Sequence, residues 1–69
     1  MTTNYEELIP KGVLFSIKEI EEMGVIKNQM MKKLIRLGNI EIVKIGNKNH
    51  ISRTELIRFL KDNTIEYHK

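Results

Sequence analysis

Apolar residues recur at helical spacing in three places along the chain, and between the second and third the spacing changes to that of extended backbone. In the first, Ile17, Ile20 and Met23 fall three apart behind Ser16-Ile17-Lys18-Glu19. That tetrapeptide reads as a capping box, in which the Ser hydroxyl accepts from the backbone N–H three residues on and the Glu carboxylate accepts from the Ser N–H. A helix of about two turns is expected, stopped by Gly24. In the second, an advance of about 100° per residue from Asn28 to Leu37 gathers Met30, Met31, Leu34, Ile35 and Leu37 on one arc. Asn28, Lys32 and Arg36 at i, i+4, i+8, joined by Gln29 and Lys33 at i, i+4, fill the other arc. Gly38-Asn39 then offers two residues tolerant of the left-handed backbone that closes helices. In the third, Ser52-Arg53-Thr54-Glu55 is a second capping box ahead of Leu56, Ile57, Phe59 and Leu60, and predicts a helix ending near Asp62-Asn63.

Between these helices, Ile40 to Ile45 is rich in β-branched residues and the chain returns through Lys48-Asn49-His50-Ile51 after Gly46-Asn47, the pattern of a β-hairpin. A two-residue Gly-Asn turn would be type II′ and would set Ile42 opposite Ile51, whereas a three-residue loop through Lys48 would set Val43 there. A one-residue slip exchanges the faces on which the side chains lie. The longer loop is preferred because it groups Val43, Ile45 and Ile51 inward and turns Lys44 and His50 outward.

With 69 residues, one domain is expected, and a chain of this size buries only about 60% of its unfolded surface. Residues 1–12, with Pro10 and Gly12, read as a flexible arm in which Thr3-Asn4-Tyr5-Glu6 could cap a single turn. Residues 13–62 read as the folded domain and 63–69 as a tail. The absence of cysteine points to a reducing compartment, and the cytoplasm is the default. No secretory leader pattern and no apolar run of about 18 residues is present, so export and membrane insertion are not expected. Neither a phosphate-cradling glycine loop nor paired carboxylates nor metal-ligand spacing is found, so no enzyme, cofactor, metal or small-molecule substrate is expected. His50 and His68 lack further ligands in the pattern, and Ser16 and Ser52 are committed to capping.

Charge changes the picture more than composition does. The net charge is +3, yet Met23 to Thr54 holds seven bases, Lys27, Lys32, Lys33, Arg36, Lys44, Lys48 and Arg53, against the single acid Glu41. The flanks are acidic. Every charge on the Asn28–Leu37 segment is positive, and like charges at i, i+4 cost a few tenths of a kcal/mol each in an isolated helix, so Lys32 with Arg36 is not a choice made for helix stability. A basic block in an acidic frame is the footprint of an anionic partner.

Helix, glycine turn, basic helix, hairpin and helix is the order that a small winged helix-turn-helix domain needs in order to dock on DNA. An α-helix fits the major groove, roughly 12 Å wide, where Asn and Gln suit adenine while Lys and Arg suit guanine or phosphate. Lys27, Asn28, Gln29, Lys32, Lys33 and Arg36 are therefore the candidate reading edge; if Asn28 instead caps the helix, it leaves base contact to the others. Lys44, Asn47, Lys48 and His50 are the candidate wing contacts, with Gly46 allowing close approach of backbone to phosphate.

From Leu14 to Leu60 the chain resembles the MerR-like excisionase and small-regulator group of winged helix-turn-helix domains. The resemblance lies in an apolar leading strand and capped first helix, Leu14-Phe15-Ser16-Ile17-Lys18-Glu19-Ile20, and in a second helix closing on Leu34-Ile35-Arg36-Leu37-Gly38. A wing of the form Val43-Lys44-Ile45-Gly46-Asn47-Lys48 and a polar-capped last helix from Ser52 complete it. It implies a mostly α member of the α+β class, with three helices and a two-stranded β-hairpin wing between the second and third. It also implies sequence-specific binding of double-stranded DNA, with the second helix in the major groove and the wing on flanking backbone. The expected role is an excisionase-like recombination directionality factor, with an integrase or recombinase as partner, or a small transcription regulator of a phage or mobile element. Useful affinity from so small a domain implies a homodimer or a cooperative array on repeated sites. The competing expectation is a protein interaction module whose basic helix docks an acidic partner.

Overall fold

The computed structural model describes residues 3–65. Ser16 caps α2 (Ile17–Glu22) with both arms of the expected box: its hydroxyl accepts from the Glu19 N–H at 3.1 Å, and its own N–H donates to the Glu19 carboxylate at 2.9 Å. The helix closes where the N–H groups of Gly24 and Val25 reach back to the carbonyls of Glu21 and Ile20. The next helix, α3 (Asn28–Leu37), has the bounds its pattern predicts. Its N-cap is Lys27, in extended conformation and with no side-chain hydrogen bond, so Asn28 is the first helical residue and not the cap. At the other end Gly38 takes φ +73°, and the N–H groups of Gly38 and Asn39 donate to the carbonyls of Ile35 and Leu34, the paired closure that needs a left-handed residue.

The last helix, α4 (Arg53–Asp62), is capped by Ser52, whose hydroxyl accepts from the Glu55 N–H at 3.0 Å. Only this half of the second capping box forms. The Glu55 carboxylate turns instead to the Glu41 N–H at 2.7 Å and to the Arg58 guanidinium at 2.6 and 2.7 Å, because a charged fork offers more than one backbone donor.

The expectation of three helices and two strands is corrected. Among the described residues there are four helices and a three-stranded antiparallel sheet, an α+β arrangement. The extra helix is a single turn, α1 (Tyr5–Leu8), and the extra strand is β1 (Leu14–Ser16), which pairs with β3 (Lys48–Ser52). The remaining strand, β2 (Val43–Ile45), lies on the other side of β3.

The preferred hairpin loop is also corrected. Ile45 pairs with Lys48, Lys44 with Asn49 and Val43 with His50, which leaves the two-residue turn Gly46-Asn47. Gly46 has φ +61° and Asn47 does not share a positive φ, the signature of type II′. Residues opposite one another across an antiparallel pair share a face, and i, i+2 neighbours do too. Phe15, Ile51, Asn49 and Lys44 therefore lie on the core face, and Ser16, His50 and Val43 on the other. Val43 and Ile45, grouped inward in the sequence reading, are 38% and 54% exposed; Lys44 and His50, grouped together, fall on opposite faces.

The core is built from Ile9, Phe15, Ile20, Met31, Ile40, Ile51, Leu56 and Ile57. Every helix or its immediate cap contributes, and so do β1 and β3, while β2 contributes nothing buried. On α3 the fully buried residue is Met31; Leu34 and Ile35 are half-buried, while Met30 and Leu37 are exposed. Of the arm expected over 1–12, residues 1 and 2 lie outside the described residues, and α1 packs on α4. Ile9 is buried, the Tyr5 hydroxyl lies 2.6 Å from that of Thr64, Lys61 pairs with Glu6 at 3.0 Å, and the Arg53 guanidinium donates to the carbonyls of Glu6, Ile9 and Pro10. Of the tail expected over 63–69, residues 66–69 lie outside the described residues. Among the described residues no helix is long and apolar enough to cross a membrane.

Candidate functional site

Met31 inserted in the core and Leu34 and Ile35 packed on its edge fix the rotation of α3 about its axis, and that rotation decides which side chains face solvent. Asn28, Gln29, Lys32, Lys33 and Arg36 are all exposed, as is Lys27 at the cap. Gln29, Lys32, Lys33 and Arg36 line one shallow cleft along the helix. The sequence-predicted reading edge is therefore brought together as one continuous surface.

The hairpin residues divide. Asn47 and Lys48 are exposed at the turn, and Lys44 is exposed on the core face beyond the end of the core. His50 does not join them. It sits in the central strand between Ser16 and Val43, half-buried, with Nδ1 enclosed and without a hydrogen-bond partner. Its neighbourhood is the α2 capping box. The Glu19 carboxyl is held below its ordinary pKa by the Ser16 N–H and hydroxyl, and His50 adds a smaller attraction of the same sign.

A recess of about 320 Å³ joins the two basic elements. Lys32 and Asn28 of α3 line one side and Lys48 and Asn49 of the hairpin another, over a floor that includes Ile17 and Ile35. Lys18, from the first turn of α2, completes the rim. Sequence reasoning left Lys18 out because it is separated from the basic block by Glu19, Glu21 and Glu22. The signal available was a base in a helical first turn, where acids are the favoured charge.

Electrostatic pairing separates the molecule into two sides. The ion pairs among the described residues are Arg58 with Glu55 and Asp62, both at 2.6 Å, and Lys61 with Glu6. All belong to α1 and α4. Glu55 is held below the usual carboxylate range, chiefly by its bond from Arg58 and further by the Glu41 N–H, and the two carboxylates push Arg58 up. Glu41, the one acid within the basic block, lines a separate recess with Glu55 and Arg58 that includes none of the α3 bases. Arg53, counted with the block in sequence, is occupied by the three carbonyls of residues 6–10. Lys27, Lys32, Lys33, Arg36, Lys44 and Lys48 form no ion pair among the described residues.

Among the described residues no group of three or more His, Asp or Glu side chains is placed to hold a metal ion. Comparison of the chain with protein-family models, with curated proteins and with solved structures finds no match.

Proposed function

We propose that the chain binds double-stranded DNA, with the exposed face of α3 in the major groove and the β2–β3 hairpin as a wing on flanking backbone. The observation that carries this is the segregation of ion pairs. On α4, Arg58 and Lys61 are paired with acids and Arg53 with backbone carbonyls, whereas six bases on α3, its cap and the hairpin are exposed and form no ion pair among the described residues. An unmatched, convex, basic helix beside a basic hairpin is complementary to a polyanion that has a groove of helix width. In this arrangement Gln29, Lys32, Lys33 and Arg36 face base edges and phosphates, while Lys27, Lys44, Asn47 and Lys48 hold backbone. Asn28 lies at the helix start, beside the recess. His50 carries no DNA contact here and serves the junction of hairpin and α2.

The α2–turn–α3–hairpin–α4 order supports a winged helix-turn-helix with β1 as a third strand, and the resemblance to MerR-like excisionases and small regulators supports either recombination directionality or transcription control as the setting. Dimers or cooperative arrays would raise the affinity of so small a footprint. The test is a titration of duplex DNA at several salt concentrations. Six phosphate contacts at about −0.9 each give a log–log slope of roughly −4 to −6. Lys32→Ala and Arg36→Ala should weaken binding with the melting curve unchanged, and a flat salt response in the wild type would refute the proposal.

A further inference from the structure

We infer that the recess between α2, α3 and the hairpin seats one nucleotide of a DNA strand, with Lys18, Lys32 and Lys48 converging on a single phosphate and Ile17 and Ile35 beneath its deoxyribose. This rests on the DNA-binding reading and adds a third element, α2, to the two already assigned. Three observations carry it. First, the recess is lined by three lysines from three separate elements, and none of them is ion-paired among the described residues. Second, Lys18 stands in a helical first turn, where a positive charge opposes the helix dipole, so its place is not explained by the stability of α2. Third, at about 320 Å³ the recess has room for about ten waters at ~30 Å³ each, more than a bare phosphate occupies, and its floor is apolar. A sugar has a C–H face to lay on such a floor, and the Asn28 and Asn49 amides beside it can donate to phosphate or sugar oxygens.

The chemistry is an anionic group on an apolar body, and two sources supply it: a nucleotide within a strand or a free nucleotide. The fit to a strand follows from position, since the recess opens between the helix and hairpin that bracket the duplex. The experiment uses the full chain and a duplex of random sequence, read by fluorescence anisotropy across a salt series. It compares wild type, Lys18→Gln, Lys32→Gln, Lys48→Gln, the triple variant and Lys11→Gln as a control outside the recess, each first shown by melting to be folded. Lys18→Gln should weaken binding as Lys32→Gln does, while Lys11→Gln should match wild type. If the three share one phosphate, the triple variant should flatten the slope by about 0.9, equivalent to about eightfold at 0.1 M relative to 1 M salt. Three separate phosphates would flatten it by about 2.7 and would overturn the shared seat. Unchanged binding by Lys18→Gln alongside normal wild-type binding would overturn the inference and leave the α3 reading standing, whereas absence of wild-type binding would overturn both. A melting shift of wild type with free deoxyadenosine monophosphate, together with duplex binding indifferent to Lys18→Gln, would assign the recess to a free nucleotide and overturn the strand seat.

Discussion

Arg53→Ala separates the two fates open to a base in this chain, holding its own fold or holding a partner. The Arg53 guanidinium donates to the carbonyls of Glu6 at 2.7 Å, Pro10 at 3.0 Å and Ile9 at 3.3 Å. Hydrogen bonds involving a charged group contribute about 1.5 to 3 kcal/mol when well made. Two of these lie at an exposed position and the third is long, so the set together is worth about that range rather than three times it. A domain of 69 residues is stable by about 3 to 10 kcal/mol, so the loss is a sizeable fraction. At about 4 to 8 °C per kcal/mol for a domain of this size, the melting temperature should fall by roughly 6 to 24 °C. Circular dichroism melts read this, and duplex titrations at two salt concentrations read the other half, in which the slope should not change. Arg53→Lys should fall between, since an ammonium keeps the charge and loses the fork. In a background lacking residues 1–12, Arg53→Ala should add little, the non-additivity expected of partners in contact. A shallower salt slope with an unaltered melt would refute the reasoning and return Arg53 to the partner-binding face.

Three further outcomes are expected. Met31→Ala should cost about 2 to 5 kcal/mol by denaturant unfolding, and Leu34→Ala, half-buried, less; the reverse order would contradict the burial of α3. Glu55 has a depressed pKa, so its stabilisation is present above the ordinary carboxylate pKa of about 4.3 and is lost as pH falls through the lowered value. Glu55→Gln should therefore be less stable than wild type at pH 7, with the gap narrowing in acid, as followed by melts over a pH series. Gly38→Ala meets no atom within 4 Å, so its cost is conformational, about 1 to 2 kcal/mol for an L residue held at φ +73°, and DNA binding per folded molecule should be retained.

What was legible in the chain was local. Ser16 with Glu19 announces the start of α2, and the 3.6-residue spacing from Asn28 to Leu37 marks α3 with its basic face, because both signals lie within a few residues of each other. The hairpin register was not legible, since Val43, Ile45 and Ile51 alternate as well as Ile42 and Ile51 do; a type II′ turn at Gly46 decides it. The single turn at Tyr5 and the leading strand at Leu14-Phe15 were both legible as short elements, but three or four residues carry too little periodicity to show their partners, which are α4 and β3. Charge has the same limit. Arg53 and Lys48 look alike in sequence, and only the fold shows one buttoned to carbonyls and the other in the open. Lys18 is the converse, a base hidden among acids until the turn after α2 brings α3 alongside it.

The clasp between α1 and α4 has a kinetic consequence. Its bonds join residues 43 to 59 apart in sequence, whereas the caps, the helix closures and the hairpin turn span a handful. Loop-closure entropy delays such distant contacts until the local elements have already reduced the freedom of the intervening chain. The clasp is thus a late event, and interactions absent from the transition state govern how fast a fold comes apart rather than how fast it assembles. Loosening it at Tyr5 or Thr64 should steepen escape from the native state in stopped-flow unfolding while leaving the refolding limb almost where it was, so the two ends of the described chain act as the latch on its lifetime.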